Sequence, residues 1–136
     1  MASSFNLKFM TPSKKLWDGQ INKLLVRAIT GDMEILANHM AIVTSLEISV
    51  VKIFADNEWH RFTIDGGYLQ FIDNEATLLS NIGENVKDLN VSEIEMKVNK
   101  DRKLLEQAQA SDESLINMQE FELKKQLNRL SATREK

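Results

Sequence analysis

A sandwich or barrel of short β-strands followed by an antiparallel helical hairpin is the α+β fold this sequence predicts. Up to Gly83 the apolar residues come in short stretches, separated by turn signals every eight to twelve residues or so, the rhythm of an all-β domain. All five glycines and the only proline lie at or before Gly83. From Val91 onward there is neither, and the apolar residues fall at helical spacing.

The strand reading proceeds in chain order. Phe5, Leu7 and Phe9 alternate with polar neighbours, as one buried face of a sheet requires. Pro12 breaks that run, and Asp18-Gly19 reads as a turn before a strand over Ile21 to Ala28. A second turn is expected at Thr30-Gly31-Asp32, then short pieces at Glu34–Leu36 and Ile42–Leu46. Ile48 to Phe54 and Trp59 to Ile64 flank Asp56-Asn57, a hairpin turn because both residues tolerate left-handed backbone. Gly66-Gly67 punctuates before Tyr68 to Ile72, and Asp73-Asn74-Glu75 turns into Ala76 to Ser80.

In the helical part, Ile94, Val98 and Leu105 share one face, with Val91, Leu104 and Ala108 close by. Asn90 can cap the first helix with Glu93 as its reciprocal partner, and Ser92 with Glu95 is a competing frame. The polar break Ala110-Ser111-Asp112-Glu113 separates a second helix, for which Asp112 is a natural cap. There Ile116, Leu123, Leu127 and Leu130 form a stripe flanked by Leu115, Met118 and Phe121. The expected domains are therefore 1–86 (sandwich) and 87–136 (hairpin). Two such helices enclose a thin core, so the hairpin either packs permanently on another surface or moves as a switch.

Composition narrows the function classes. Without cysteine, disulfide scaffolds, thiolate metal sites and thiol nucleophiles are excluded. A net charge of −3 argues against a general nucleic-acid binder. Neither His39 nor His60 recurs with carboxylates at metal-ligand spacing, so no metal site is expected. No phosphate-cradling glycine loop and no nucleophile elbow is present, which speaks against an enzyme. The opening MASSFNLKFM lacks the apolar core of a secretory signal, and no apolar stretch approaches the length of a spanning helix.

A set of landmarks adds to this reading. Thr11-Pro12 is followed by Leu16-Trp17-Asp18-Gly19, then Thr30-Gly31-Asp32-Met33-Glu34-Ile35-Leu36, Asn38-His39 and Ile64-Asp65-Gly66-Gly67-Tyr68. In this order, with a helical hairpin behind them, they resemble the epsilon-subunit family of bacterial and chloroplast F-type ATP synthases. The resemblance implies a flattened sandwich of about ten strands in two sheets at the foot of a central stalk. It implies the gamma subunit and the c-subunit ring as partners, and the alpha and beta catalytic subunits when the hairpin extends. The implied role is a non-catalytic rotor element that couples ion flow to ATP synthesis and restrains ATP hydrolysis through the hairpin. The implied location is peripheral, on the cytoplasmic face of a bacterial plasma membrane or the stromal face of a thylakoid. It further implies that His39, Gly66, Gly67 and Tyr68 face gamma and that Gly31, Asp32 and Met33 meet the c ring. Lys124, Lys125, Arg129 and Arg134, with Lys136, would meet an acidic segment of the catalytic subunits. The readings from residue chemistry alone stay open beside these: a hydrogen-bonded structural histidine at 39, a turn aspartate at 32, a solvated basic helix face at 124–136.

The sequence also departs from that family. Glu34 stands where a second glycine is usual, and Met40-Ala41 follows the histidine where proline is common. Family members that bind ATP do so through an aspartate and an arginine at the positions of Asn90 and Glu93, and Arg102 is displaced from the usual spacing. A carboxylate in place of a cation beside a polyphosphate reverses the sign of the interaction, so no cofactor is expected and ATP binding should be weak or absent. A sandwich-and-hairpin adaptor of an unrelated complex is the alternative function. It has no reason to carry the landmarks in this order.

Overall fold

The computed structural model describes residues 3–107 and 113–134, and in it the chain divides into two compact units, Met1–Asn85 and Val86–Lys136. Among the described residues the first unit contains eight strands: β1 (Phe5–Met10), β2 (Lys15–Ile21), β3 (Lys23–Ala28), β4 (Gly31–Leu36), β5 (Ile42–Ala55), β6 (Glu58–Ile72), β7 (Glu75–Leu79) and β8 (Gly83–Asn85). Their hydrogen-bonded order is β2-β1-β7-β6-β5-β3-β4, with β8 added to β6. All neighbours are antiparallel except β1 and β7, which run parallel from Asn6 opposite Glu75 to Met10 opposite Leu79.

Four of the expected short strands are two long ones. The pieces at Ile42–Leu46 and Ile48–Phe54 form the single strand β5, and those at Trp59–Ile64 and Tyr68–Ile72 form β6. These two strands pair with each other through both layers of the sandwich, one half in each. The half of β6 from Tyr68 to Ile72 pairs with β7, and the half from Phe62 to Ile64 pairs with β8. Counted by halves, there are ten strand segments in two layers. The inward phase of the strands changes where they cross. Phe62 and Ile64 point inward on one side of Gly66-Gly67, and Leu69 and Phe71 on the other, five residues on from Ile64. On β5 the same odd step separates Leu46 from Val51. An odd spacing between buried residues flips the strand's inner face, as passage from one layer to the opposite one demands.

The core lies between the layers. Phe9 of β1 meets Phe62 edge-on at 5.4 Å between ring centroids, and Phe5 meets Phe71 at the same distance. Leu7, Leu24, Ile35, Ile53 and Leu78 are fully buried around them. Large aromatic side chains in edge-to-face pairs dominate the energetics of such a core.

The expected turns at Asp56-Asn57 and Asp73-Asn74 are present, and all four residues have φ between 50° and 63°. Both central positions in the left-handed region make the tight hairpin connection whose twist suits antiparallel strands. The turn expected at Asp18-Gly19 is not there. Both residues lie inside β2, opposite Lys8 and Leu7. The chain reverses earlier, where the Thr11 amide donates to the Lys14 carbonyl at 2.8 Å and the Lys14 amide donates to Thr11 Oγ1 at 3.2 Å. Asp18 points outward and pairs with Lys15 at 3.1 Å, so its polarity costs the strand nothing.

The second unit opens with one 3-10 turn at Val86–Asp88 and continues with α1 (Val91–Gln107) and α2 (Glu113–Arg134). Asn90 is the cap of α1: its Oδ1 accepts from the Glu93 amide at 3.2 Å, which decides between the two frames. Ile94 and Val98 of α1 bury against Leu130 near the end of α2, with Leu89 and Leu123 alongside, so the helices run antiparallel. Leu105 and Ile116 are half-buried, whereas Val91, Leu104, Leu115, Met118, Phe121 and Leu127 are exposed. Ala108, the polar break and Asp112 lie outside the described residues. Asn90→Ala should cost the helix about 1 kcal/mol. The readout is faster amide exchange over the first turn of α1, and unchanged exchange there would deny Asn90 its capping role.

Candidate functional site

A cavity of about 620 Å3 opens on the sandwich unit where β6 leaves β7. Gly66 and Gly67 form one wall, and glycine is required at both. Gly66 has φ of 100°, and a Cβ there would come within 3.3 Å of the Leu46 carbonyl oxygen. A Cβ on Gly67 would overlap the carbonyl group of Leu79. The close approach of these backbones lets the strand turn between layers and leaves Tyr68 standing outward beside the opening, 64% exposed.

Ser80, nearly fully buried, ties this corner. Its hydroxyl lies 2.6 Å from the Gly66 carbonyl, 2.9 Å from the Ile82 carbonyl and 3.0 Å from Asp65 Oδ1. The same Asp65 oxygen accepts from the Ile82 amide at 3.1 Å. One hydroxyl proton is thus set among three acceptors, and the knot fixes both the glycine wall and the Asp65 carboxylate. Asp65 stands out in the sequence only as part of the glycine landmark and Ser80, just past the end of β7, not at all, because they lie fifteen positions apart.

His39 is held at the other end of the Tyr68–Ile72 segment. Its Nδ1–H donates to the Met40 carbonyl at 2.7 Å, and its ring stands edge-on to Phe71 at 5.9 Å. Asn38, with φ of 66°, donates its amide to Asn74 Oδ1 at 2.7 Å and so anchors the loop to the β6–β7 turn. His39 is therefore a satisfied loop residue, separated from Gly66, Gly67 and Tyr68 by the length of that segment.

Gly31, Asp32 and Met33 begin β4 rather than a loop, following the two-residue connection Ile29-Thr30. Gly31 and Asp32 are exposed, and Met33 packs partly against the core. Asp32 is not satisfied by its own backbone: its Oδ1 accepts from Arg27 Nε on the neighbouring strand at 3.0 Å. Both side chains are mostly in water, so this pair orients Asp32 and stabilises little.

The basic face of α2 is partly committed. Lys125 pairs with Glu122 at 2.9 Å and lies over the Phe121 ring at 5.2 Å, and Arg129 Nη1 donates to Gln126 at 2.6 Å. Lys124 and Arg134 are exposed, and Lys136 lies outside the described residues. On α1, Asn90 serves as the cap, while Glu93 and Arg102 are exposed. His60 is half-buried against Trp17, ring centroids 4.9 Å apart, with Nε2 3.5 Å from Glu58. Among the described residues there is no cluster of three or more histidines or carboxylates placed to hold a metal, and no helix is long and apolar enough to cross a membrane.

Comparison with known proteins agrees with this architecture. The ATP synthase epsilon chain of the Pyropia yezoensis chloroplast is 27% identical over 112 residues, spanning 82% of this chain and 84% of that one. The Arabidopsis thaliana chloroplast epsilon chain is 31% identical over 90 residues, or 66% of this chain and 68% of its own. A chain of the Euglena gracilis mitochondrial ATP synthase OSCP/F1/c-ring structure shares the fold with a TM-score of 0.82 at 15% identity, over 95% of this chain and 81% of that one. One from the Tetrahymena thermophila mitochondrial ATP synthase central stalk and c ring gives 0.62 at 14% identity, over 94% and 95%. The family model for the beta-sandwich domain of the ATP synthase delta/epsilon chain matches residues 4–86, more than half of the 136 residues, and the chain therefore belongs to that family.

Proposed function

We propose that the chain works as the epsilon subunit of an F-type ATP synthase: a non-catalytic part of the central stalk that joins the gamma subunit to the c ring and restrains ATP hydrolysis through its hairpin. The observation that carries this reading is the match of the whole sandwich to the family domain. The surface of the sandwich suits a docking role. Exposed Tyr68 beside the glycine wall supplies an aromatic anchor for gamma, and exposed Gly31 and Asp32 offer a polar edge for the c-ring loops. Lys124 and Arg134 are the exposed cations of α2 for an acidic segment of the catalytic subunits. The complex would hold the chain peripherally at its membrane, on the side that carries the catalytic sector.

Sedimentation tests this directly. The chain is mixed with the gamma-containing catalytic complex of the same organism, stripped of its own smallest stalk subunit. One tightly bound copy per complex is expected, and absence of binding by the folded chain refutes the stalk assignment.

A further inference from the structure

We propose that the cavity beside Gly66-Gly67 receives a positively charged side chain, an arginine or lysine carried on an apolar segment of the stalk partner, which pairs with Asp65. The inference rests on the stalk reading above and adds the chemistry of the contact.

Asp65 lines the cavity and is half-buried. The Ser80 hydroxyl and Ile82 amide both engage Oδ1, and no cation among the described residues forms an ion pair with this carboxylate. Oδ2 is therefore an open acceptor bearing negative charge. Its surroundings combine large apolar side chains with the polar Thr11, Ser45, Ser80 and Asn81. In one row across four strands Met10 stands opposite Leu79, Leu79 opposite Tyr68, and Tyr68 opposite Ser45. Tyr68 and Leu79 are exposed although both are large and apolar in body, and Leu46 lines the cavity with them. The three large side chains Met10, Leu79 and Tyr68, set side by side, mark a surface that another molecule covers.

Covering it closes Asp65 off from water. A buried carboxylate without a counter-charge is strongly unfavourable, so a wholly apolar occupant is disfavoured and an anionic one is repelled. A cation set in an apolar segment satisfies both the row and the carboxylate. The Ser80–Ile82 knot already holds Oδ1, so the carboxylate is oriented before the partner arrives and little ordering remains to be done.

The test compares the wild-type chain with Asp65→Asn in binding to the same stripped complex. Asparagine keeps Oδ1 as acceptor for the Ile82 amide, removes the charge and puts an NH2 donor in place of Oδ2. Its affinity should fall by about tenfold or more with an unchanged near-ultraviolet circular dichroism spectrum. Equal affinity overturns the charge pairing and leaves the stalk assignment standing, whereas failure of the wild type itself to bind overturns both. The wild-type chain gives a second reading that needs no variant. Carbodiimide-driven amidation of Asp65, followed by mass spectrometry, should proceed in the free chain and be suppressed in the complex. Equal modification in the two states overturns the proposal.

Discussion

Gly67→Ala should destabilise the sandwich by about 3 kcal/mol, the upper end of what an overpacked position ordinarily costs. The added Cβ meets the carbonyl group of Leu79, which is backbone and cannot rotate away. Relief requires β6 to draw back from β7, and that movement pulls the Gly66 carbonyl away from the Ser80 hydroxyl that now lies 2.6 Å from it. For a domain of this size, 3 kcal/mol corresponds to a fall of roughly 12–24 °C in Tm. Gly19→Ala is the matched control. A Cβ there has only Trp17 Nε1 nearby, at an ordinary 3.9 Å, so its Tm should stay close to that of the parent. Calorimetry of the three proteins decides the matter: equal melting temperatures would mean that the β6–β7 approach is not rigid.

Removal of the hairpin by truncation after residue 86 should leave the sandwich folded and bound to its complex while ATP hydrolysis rises by roughly fivefold or more, the scale of an ordinary allosteric coupling. The core of the first unit is made entirely of residues from Phe5 to Leu78, so the truncation removes none of it. The hairpin's own core is small, with Ile94, Val98 and Leu130 as its buried cluster, and modest differential contacts suffice to shift a small helical unit between two positions. The assay is ATP hydrolysis by the reconstituted complex with full-length and truncated chain, alongside ATP synthesis in vesicles. Synthesis should be retained. Restraint of hydrolysis that persisted without the helices would take the hairpin out of the regulatory mechanism.

Much of the fold was legible because local chemistry and global pattern agree. Asp56-Asn57 and Asp73-Asn74 announce tight hairpins, since few other residues accept two successive left-handed conformations. Asn90 reads as a cap because its side chain competes for backbone donors. Asp18-Gly19 carries the same turn chemistry and misleads, because turn propensity is overruled where a ladder with β1 and a nearby lysine satisfy both residues in a strand. Gly66-Gly67 looks like punctuation between strands, and only the odd spacing from Ile64 to Leu69 betrays one strand changing layers. The site was partly legible. Tyr68 and the glycines stand out by type, but the Asp65–Ser80 knot and the Arg27–Asp32 pair arise from contacts across strands, which periodicity does not encode.

The passage of β5 and β6 through both layers has a mechanical consequence. In a sandwich made of separate sheets, a sideways load on one layer reaches the other through side-chain packing, which yields by sliding. Here it also travels along two covalent main chains cross-braced by a shared ladder from Ile42 to Ala55. The layers are keyed together like plates joined by a common bar. A twisting force applied at one face is therefore delivered to the opposite face along the two strands that pass the corner at Gly66 and Gly67.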